Sequence, residues 1–349
     1  MLLVVLRPHG DVKVDALQAA KARGQVTAVI PCPQAPDECD RATVRLTDGA
    51  IVTARVVKHP LVPPVRTGQR ILLSVAENAE PADRYLYVDQ DRSRPLLALA
   101  LVFAFAVVLL SRWRGVAALV ALAVTALVLT QFVLPAILGG ANPVLVAVVG
   151  GTAIMVLALY LTHGFNARTS VALLGTIGAL LLTALLAEAF LRLTRITGLS
   201  ADGASEVASY VPGLDVQGLL IAGVVIGTLG VLDDVTVTQT AVVWELAAAD
   251  PNASRADLFG AGLRVGRAHV ASVVNTLVLA YAGAALPMLM LFAISGMPQL
   301  YALSTEQVAV EIVRALVGSL GITAAMPLTT LLAALTHPTP SPNPVIGPL

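Results

Sequence analysis

Two adjacent carboxylates, Asp233 and Asp234, interrupt a run that is otherwise apolar or hydroxyl-bearing: Gly223-Val-Val-Ile-Gly227-Thr-Leu-Gly230-Val-Leu-Asp233-Asp234-Val-Thr-Val-Thr238-Gln239-Thr-Ala-Val-Val-Trp244-Glu245. No helix breaker occurs between Val216 and Ala249, and Asp250-Pro251-Asn252 ends the run. At about 100° per residue, Gly223, Gly227, Gly230, Asp234, Thr238 and Glu245 fall on one stripe of such a helix. Asp233 shares the neighbouring stripe with Thr236, Thr240 and Trp244. An ionisable group at membrane depth is costly and by default functional. The chemistry indicated is a proton or cation relay through Asp233, Asp234, Thr238 and Glu245. The competing reading is that both acids solvate the inner end of the helix, just below the bilayer. Asp234, on the glycine side, is expected to matter more than Asp233.

Glycines three and four residues apart allow close helix approach. Gly223, Gly227 and Gly230 are therefore expected to receive a neighbouring helix, and Gly227→Leu to disrupt the bundle. His269, Ser272 and Thr276, with Asn275 beside them, share one side of a later apolar run. Glu311 and Arg314 lie on one side of the last. These residues are expected to form a packed polar seam, with Glu311 and Arg314 as a structural ion pair at i, i+3. Other chemistries lack their residues. The glycines have neither the preceding strand nor the Lys-Ser/Thr ending of a phosphate loop. His163 reads as a loop residue, and no second His or Cys lies near enough to suggest a metal. Ser272 and Thr276 have only His269 as a neighbouring base, and that spacing alone does not make a nucleophile–base pair. Neither an enzyme, a metal nor a cofactor is expected.

The elements that carry these residues follow from composition. Of 349 residues, 57% are hydrophobic and 13% charged, and mean hydropathy is +0.82; a soluble domain carries about a quarter charged residues. Net charge is zero, which leaves no electrostatic footprint for nucleic acid. Residues 1–94 hold 13 Lys/Arg and 11 Asp/Glu, while residues 95–349 hold 9 Arg, no Lys and 11 Asp/Glu. The chain thus divides near Pro95 into a polar head (1–94), a membrane body (95–335) and a proline-rich tail (336–349). Seven apolar stretches are long enough to span: Pro95–Leu110, Gly115–Leu134, Pro143–Leu161, Thr169–Leu191, Val216–Leu232, Val270–Ile294 and Val308–Leu335. Met1–Leu6 resembles the end of a further helix, which would make eight. Ser254-Arg-Ala-Asp257 reads as the capping-box start of a short amphipathic helix ending near Val265.

The head reads as β, with strands at Gln25–Ile30, Arg41–Thr47, Ile51–Val57, Gln69–Val75 and Arg84–Val88, separated by turn residues. Five short strands predict a small barrel or sandwich of SH3-like or OB-like size. Cys32 and Cys39 share one loop, either as a disulfide or as two unrelated thiols; an exported head favours the disulfide. Arg112, Arg114, Arg168, Arg255, Arg264 and Arg267 fall in one set of loops and only Arg192 and Arg195 in the other. The fold class is therefore an α-helical polytopic membrane protein with a β-rich extracytoplasmic head and a cytoplasmic C-terminus. Its partners are the bilayer and a second copy or another membrane protein; the substrate is not legible.

Several motifs resemble the YibE/F-like membrane protein family. They are the run from Leu229 to Leu246, the run from Val265 to Gly283, Arg112-Trp-Arg-Gly115, Asn142-Pro143 and Tyr160-Leu-Thr-His-Gly-Phe165. The resemblance covers about Gly24 to Leu335. It implies a bacterial multi-pass membrane protein, without a known activity. From Val144 to Leu335 the order of elements also weakly resembles the transmembrane half of SecD/SecF-type and other RND-superfamily proteins. That likeness implies membrane acids that carry protons, although the second half and large external domains are lacking. The two function classes are a secondary transporter or proton-coupled export-type factor, and a non-transporting cell-envelope scaffold or assembly factor.

Overall fold

The computed structural model describes residues 20–76, 79–80, 84–201 and 203–337. Met1–Leu6 and the tail beyond His337 lie outside the described residues. The chain divides at Arg112 into two compact units.

The first unit contains a closed five-stranded barrel: β1 (Ala20–Pro31), β2 (Cys39–Leu46), β3 (Ile51–Val57), β4 (Arg70–Val75) and β5 (Tyr85–Gln90). Strand order is β1-β2-β3-β5-β4, closed by β1 against β4. All pairs are antiparallel except β3 with β5. Of the two barrel shapes expected, this order is the OB-like one. Alternation sends Val26, Ala42, Val44, Ala54, Val56, Ile71 and Leu73 inward to a shared core with Val65. Closure brings β1 close to β2 at Gly24, where a Cβ would collide with Val44 and the Arg45 carbonyl. Cys32 and Cys39 form a disulfide, with Cα atoms 5.5 Å apart, across the loop between β1 and β2. After β5, Arg92 donates to Asp89 at 2.7 Å. That charge-assisted bond holds the Asp89 carboxyl below its ordinary range. Asp91 accepts from the Ser93 N–H at 3.0 Å, as helix α1 (Ser93–Val128) begins.

Among the described residues, five helices are long and apolar enough to cross a membrane, or six if one bent pair counts as a span. The first runs 46 residues, Ser93–Leu138, through α1, a π turn at Leu129–Val133 and α2 (Leu134–Leu138). Two separate spans were expected there. The stretch consists of two helices that meet at a kink at Arg112 (φ 53°, ψ −129°), a positive-φ conformation that a residue with a Cβ rarely adopts. The remaining helices are α3 (Pro143–His163), α4 (Ala167–Thr194), α5 (Ala204–Tyr210), α6 (Val216–Ala249), α7 (Arg255–Ala284), α8 (Leu286–Ile294), α9 (Gln299–Ser304) and α10 (Glu306–Thr336).

Starts are set by caps: Asn142 Oδ1 accepts from Leu145, Asn166 from Thr169 and Asp215 from Gly218. Ser254 and Asp257 form a reciprocal capping box. That box does not open a separate amphipathic helix: no breaker follows Val265, and α7 continues unbroken to Ala284. The run expected to span Val270–Ile294 instead bends by 58° between α7 and α8, where Pro287 stands in the first turn of α8.

In the second unit α4, α6, α7 and α10 pack around a threonine-rich interior. Thr176, Thr183, Thr228, Thr236, Thr240, Thr329 and Thr330 are buried with Ser319. Most close their hydroxyls on the carbonyl four residues back, as Thr176 does on Ala172, Thr183 on Ala179, Thr240 on Thr236 and Ser319 on Ala315. With the proton so placed, a threonine packs like a valine. Its partner across the interface is glycine. Gly175 faces Thr329, Gly321 faces Thr183, and a Cβ on Gly318 would lie 2.7 Å from Cγ2 of Thr228. Gly321→Val should lower thermal stability by about 1–3 kcal/mol through overpacking. Gly223→Ala, with nothing within 4 Å of the new methyl, should not. Melting curves of both purified variants check this, and equal loss would overturn the packing account.

Candidate functional site

The interior face of α6 is drawn by Ile221, Val225, Thr228, Leu232, Thr236, Gln239 and Val243, all buried. Their period places Gly223, Gly227, Gly230 and Asp234 on the opposite side, where all four are exposed. The stripe expected to be a packed seam is thus the outward face of the helix. No atom lies within 4 Å of a Cβ built on Gly223 or Gly230, and only Tyr281 Oη, at 2.9 Å, near one on Gly227. The Gly227→Leu disruption expected above loses its basis, since the leucine would meet one movable phenol. Ser272, Asn275 and Thr276 of α7 are likewise exposed. The inversion has a physical cause. Threonine that bonds its own helix packs well inside, while glycine contributes no apolar surface to bury.

The two acids occupy different environments. Asp233 is half-buried, and its Oδ1 is buried without a hydrogen-bond partner among the described residues. Such orphaned oxygens are rare in folded proteins. Asp234 is the exposed one, at 65%, with Nε2 of His269 3.7 Å from its Oδ2. That separation allows an ion pair when the imidazole is charged but is too long for a hydrogen bond. The expectation that Asp234 is the sheltered acid is therefore reversed. Thr238 is half-buried. Glu245, one end of the expected relay, is 70% exposed and pairs with Arg168 Nη1 at 3.2 Å; it shares Asp234's side of the helix but stands eleven residues, about 16 Å, further along. On α10, Glu311 accepts from Arg314 at 2.6 Å, a local pair one turn apart. Gly318 of the same helix faces inward against Thr228, apart from the outward stripe of α6.

Next to Asp233 runs a buried polar ladder. Thr176 gives its proton to the Ala172 carbonyl, so Thr236 donates to the Thr176 hydroxyl oxygen at 2.7 Å, with the Asp233 carbonyl 3.2 Å away. One turn on, Gln239 Nε2 donates to the Gly262 carbonyl and to Thr330 Oγ1, both at 2.8 Å. Gly262 and Gly266 leave the room for that amide: a Cβ on Gly266 would lie 2.6 Å from Gln239 Oε1. Gln239, Thr176 and Thr330 were not among the expected site residues. The signal for them was present, since a glutamine in an apolar span must find partners, and Thr329-Thr330 is a hydroxyl pair at membrane depth.

A cleft of about 250 Å³ opens beside this face, lined by His163, Asn166, Arg168, Thr169, Ala172, Val237, Thr240 and Ala241. Its rim is ordered. Arg168 lies 5.2 Å over the Trp244 ring while it pairs with Glu245. Asn166 caps α4 with its Oδ1 and donates Nδ2 to the His163 carbonyl at 2.8 Å. Tyr160 stacks on Phe165 with centroids 4.5 Å apart and its hydroxyl meets Ser170 at 2.9 Å. His163 and Asp234 are the titratable groups whose charges act on Asp233. Among the described residues no group of three His, Cys, Asp or Glu is arranged to hold a metal.

A family model described as YibE/F-like protein matches residues 99–339, well over half of the chain. No curated protein and no solved structure matches.

Gln239 is the cross-link of the ladder to both α7 and α10. Replacing it by leucine, of similar size, should cost about 1–2 kcal/mol, the worth of two neutral hydrogen bonds. Unfolding of Gln239→Leu beside wild type in the same detergent measures this, and an unchanged midpoint would show the bonds to be dispensable.

Proposed function

The chain belongs to the YibE/F-like protein family, and on that basis we propose that it is a secondary transporter or proton-coupled export-type factor of a bacterial cell membrane. One observation carries the reading: a carboxyl oxygen of Asp233 is buried and unpartnered in the middle of a 34-residue apolar helix. A carboxylate there lacks the hydrogen bonds that would hold it charged, so it takes and gives up a proton as its surroundings change. The relay therefore centres on Asp233. Asp234 and His269 form a second, outward pair that sets the local charge.

The topology that goes with this reading has seven spans, with the 46-residue stretch crossing twice about Arg112, because about 69 Å of helix is more than twice the hydrocarbon thickness. An upstream helix would make eight. The barrel lies outside, the C-terminus inside, and the arginine-rich loops in the cytoplasm. The weak likeness to an RND-type transmembrane half supports the same assignment of protons to membrane acids. A second reading, a non-transporting envelope scaffold or assembly factor, draws on the outward stripe of Gly223, Gly227, Gly230 and Asp234, which suits contact with another membrane protein or a second copy.

In proteoliposomes, Asp233→Asn should abolish proton flux and Asp234→Asn should retain most of it. Loss in Asp234→Asn alone would return the relay to the outward acid, and wild-type flux in Asp233→Asn would leave the scaffold reading. For the topology, an impermeant thiol reagent applied to intact cells should label Cys32 and Cys39 only after an impermeant reductant. Labelling that requires lysis would place the barrel inside.

A further inference from the structure

We propose that the cleft between the α3–α4 turn and α6 is a one-sided water vestibule to Asp233, and that His163 is the group that exchanges protons with it. This rests on the relay role proposed for Asp233 and adds the route and the donor.

The cleft floor on α6 is made by Val237, Thr240 and Ala241. At about 100° per residue these fall within roughly 80° of Asp233, and Val237 stands one turn along from it. The floor thus continues the face that bears the acid. At the cleft the His163 imidazole and the Arg168 guanidinium, which has donors beyond the one given to Glu245, offer water polar partners, and about 250 Å³ holds several molecules. Toward the bundle interior Asp233 is backed by the Thr236–Thr176 bond, and Gln239 fills the next turn. Access from the cleft side alone is what a relay requires in a given state.

His163 is built into the rim. Its carbonyl is held by Asn166 Nδ2, and its Nδ1 lies 2.7 Å from Thr162 Oγ1. The Thr162 hydroxyl donates to the Ala158 carbonyl at 2.7 Å, so Nδ1 donates to the hydroxyl oxygen and Nε2 is left as the exchanging atom. In the transfer, the Nε2 proton of the imidazolium passes through water to a carboxylate oxygen of Asp233. That leaves a neutral imidazole and a neutral acid. Arg168 cannot serve in this way, because it stays charged and is engaged by Glu245. The charged groups that act on Asp233 are His163 on α3 and Asp234 on α6; His269 on α7 lies beside Asp234, and Arg168 and Glu245 pair with each other about three turns further along α6.

The test uses the full chain, whose native cysteines are bonded to each other, so that one introduced cysteine is the reactive thiol. Val237→Cys, in the cleft, should react with a small sulfonate-bearing thiol reagent applied from the cytoplasmic face. It should not react from the other face. Leu185→Cys, on the apolar outer side of α4, should react from neither. A Val237 thiol as inert as that at Leu185, or equally reactive from both faces, overturns the vestibule. For the donor, His163→Gln in proteoliposomes should slow Asp233-dependent flux by about tenfold or more, and imidazole added to the buffer should restore part of it. Flux unchanged by His163→Gln, or a loss that imidazole does not relieve, overturns the role of His163. Labelling is read without transport. A reactive Val237 thiol in a chain that carries no flux would uphold the vestibule while removing the relay, and flux with an inert thiol would do the reverse.

Discussion

A hydroxyl or amide inside hydrocarbon must find an acceptor within the protein, and the bundle is arranged around that requirement. Threonine meets it without help from a neighbour by closing on the carbonyl one turn back. Its remaining surface is then two carbons and a spent oxygen. Glycine opposite supplies the space, so α4, α6 and α10 approach closely through Gly175, Gly318 and Gly321. Where a side chain cannot close on its own helix, as with Gln239, two neighbours are recruited instead. The interior is polar in composition yet apolar in behaviour, and nearly every donor in it is accounted for.

Against that background two interior oxygens lack a partner among the described residues, the Thr329 hydroxyl and Asp233 Oδ1, and only the second is ionisable. Asp233 and Asp234 are consecutive, yet a rotation of about 100° puts one against the ladder and the other outside. The same side chain is thereby given two environments by nothing more than helix geometry. The outward member has a histidine near it, and the inward one has only backbone, a cleft and the field of two titratable neighbours. Chemistry follows the environment, which is why the inward acid is the one assigned a proton.

Much of this was legible from the residues. The strands of the barrel emerged within a few positions, because turn residues such as Asp48-Gly49 and Pro63-Pro64 bracket them. Helix starts were legible too, since Asn142-Pro143 and Ser254-Arg-Ala-Asp257 carry their own caps. What failed was the choice of face on α6. Glycines and an acid at helical spacing look like a packed groove, but the same spacing is shared by the Ile221-Val225-Thr228-Leu232-Gln239 side, which buries more. A wheel shows two candidate faces and does not rank them. The ranking depends on residues of other helices, such as Gly318, which is matched to Thr228 from far away in the chain. The positive φ at Arg112 was equally invisible, because an arginine pair between apolar runs reads as an ordinary loop. The bend between α7 and α8 had a local sign in Pro287, though the apolar run continues through it.

The way α6 is fastened has a mechanical corollary. Its buried side-chain bonds to other helices come from Thr236 and Gln239, three residues or about 4.5 Å apart along the axis. Everything else in its buried flank is held by shape. Nearer its ends α6 is tied at the periphery, by Gln217 to the Ile196 carbonyl at 2.9 Å and by Glu245 to Arg168, so a rod whose buried pin sits at one level acts as a lever where those outer ties yield. The arm from Thr236 to Val216 is about 30 Å, so a tilt of about 5° moves that end by about 2.6 Å without breaking the pin. Asp233, less than a turn from the fulcrum, would barely shift, while the two ends of the helix swing in opposite senses on opposite sides of the bilayer.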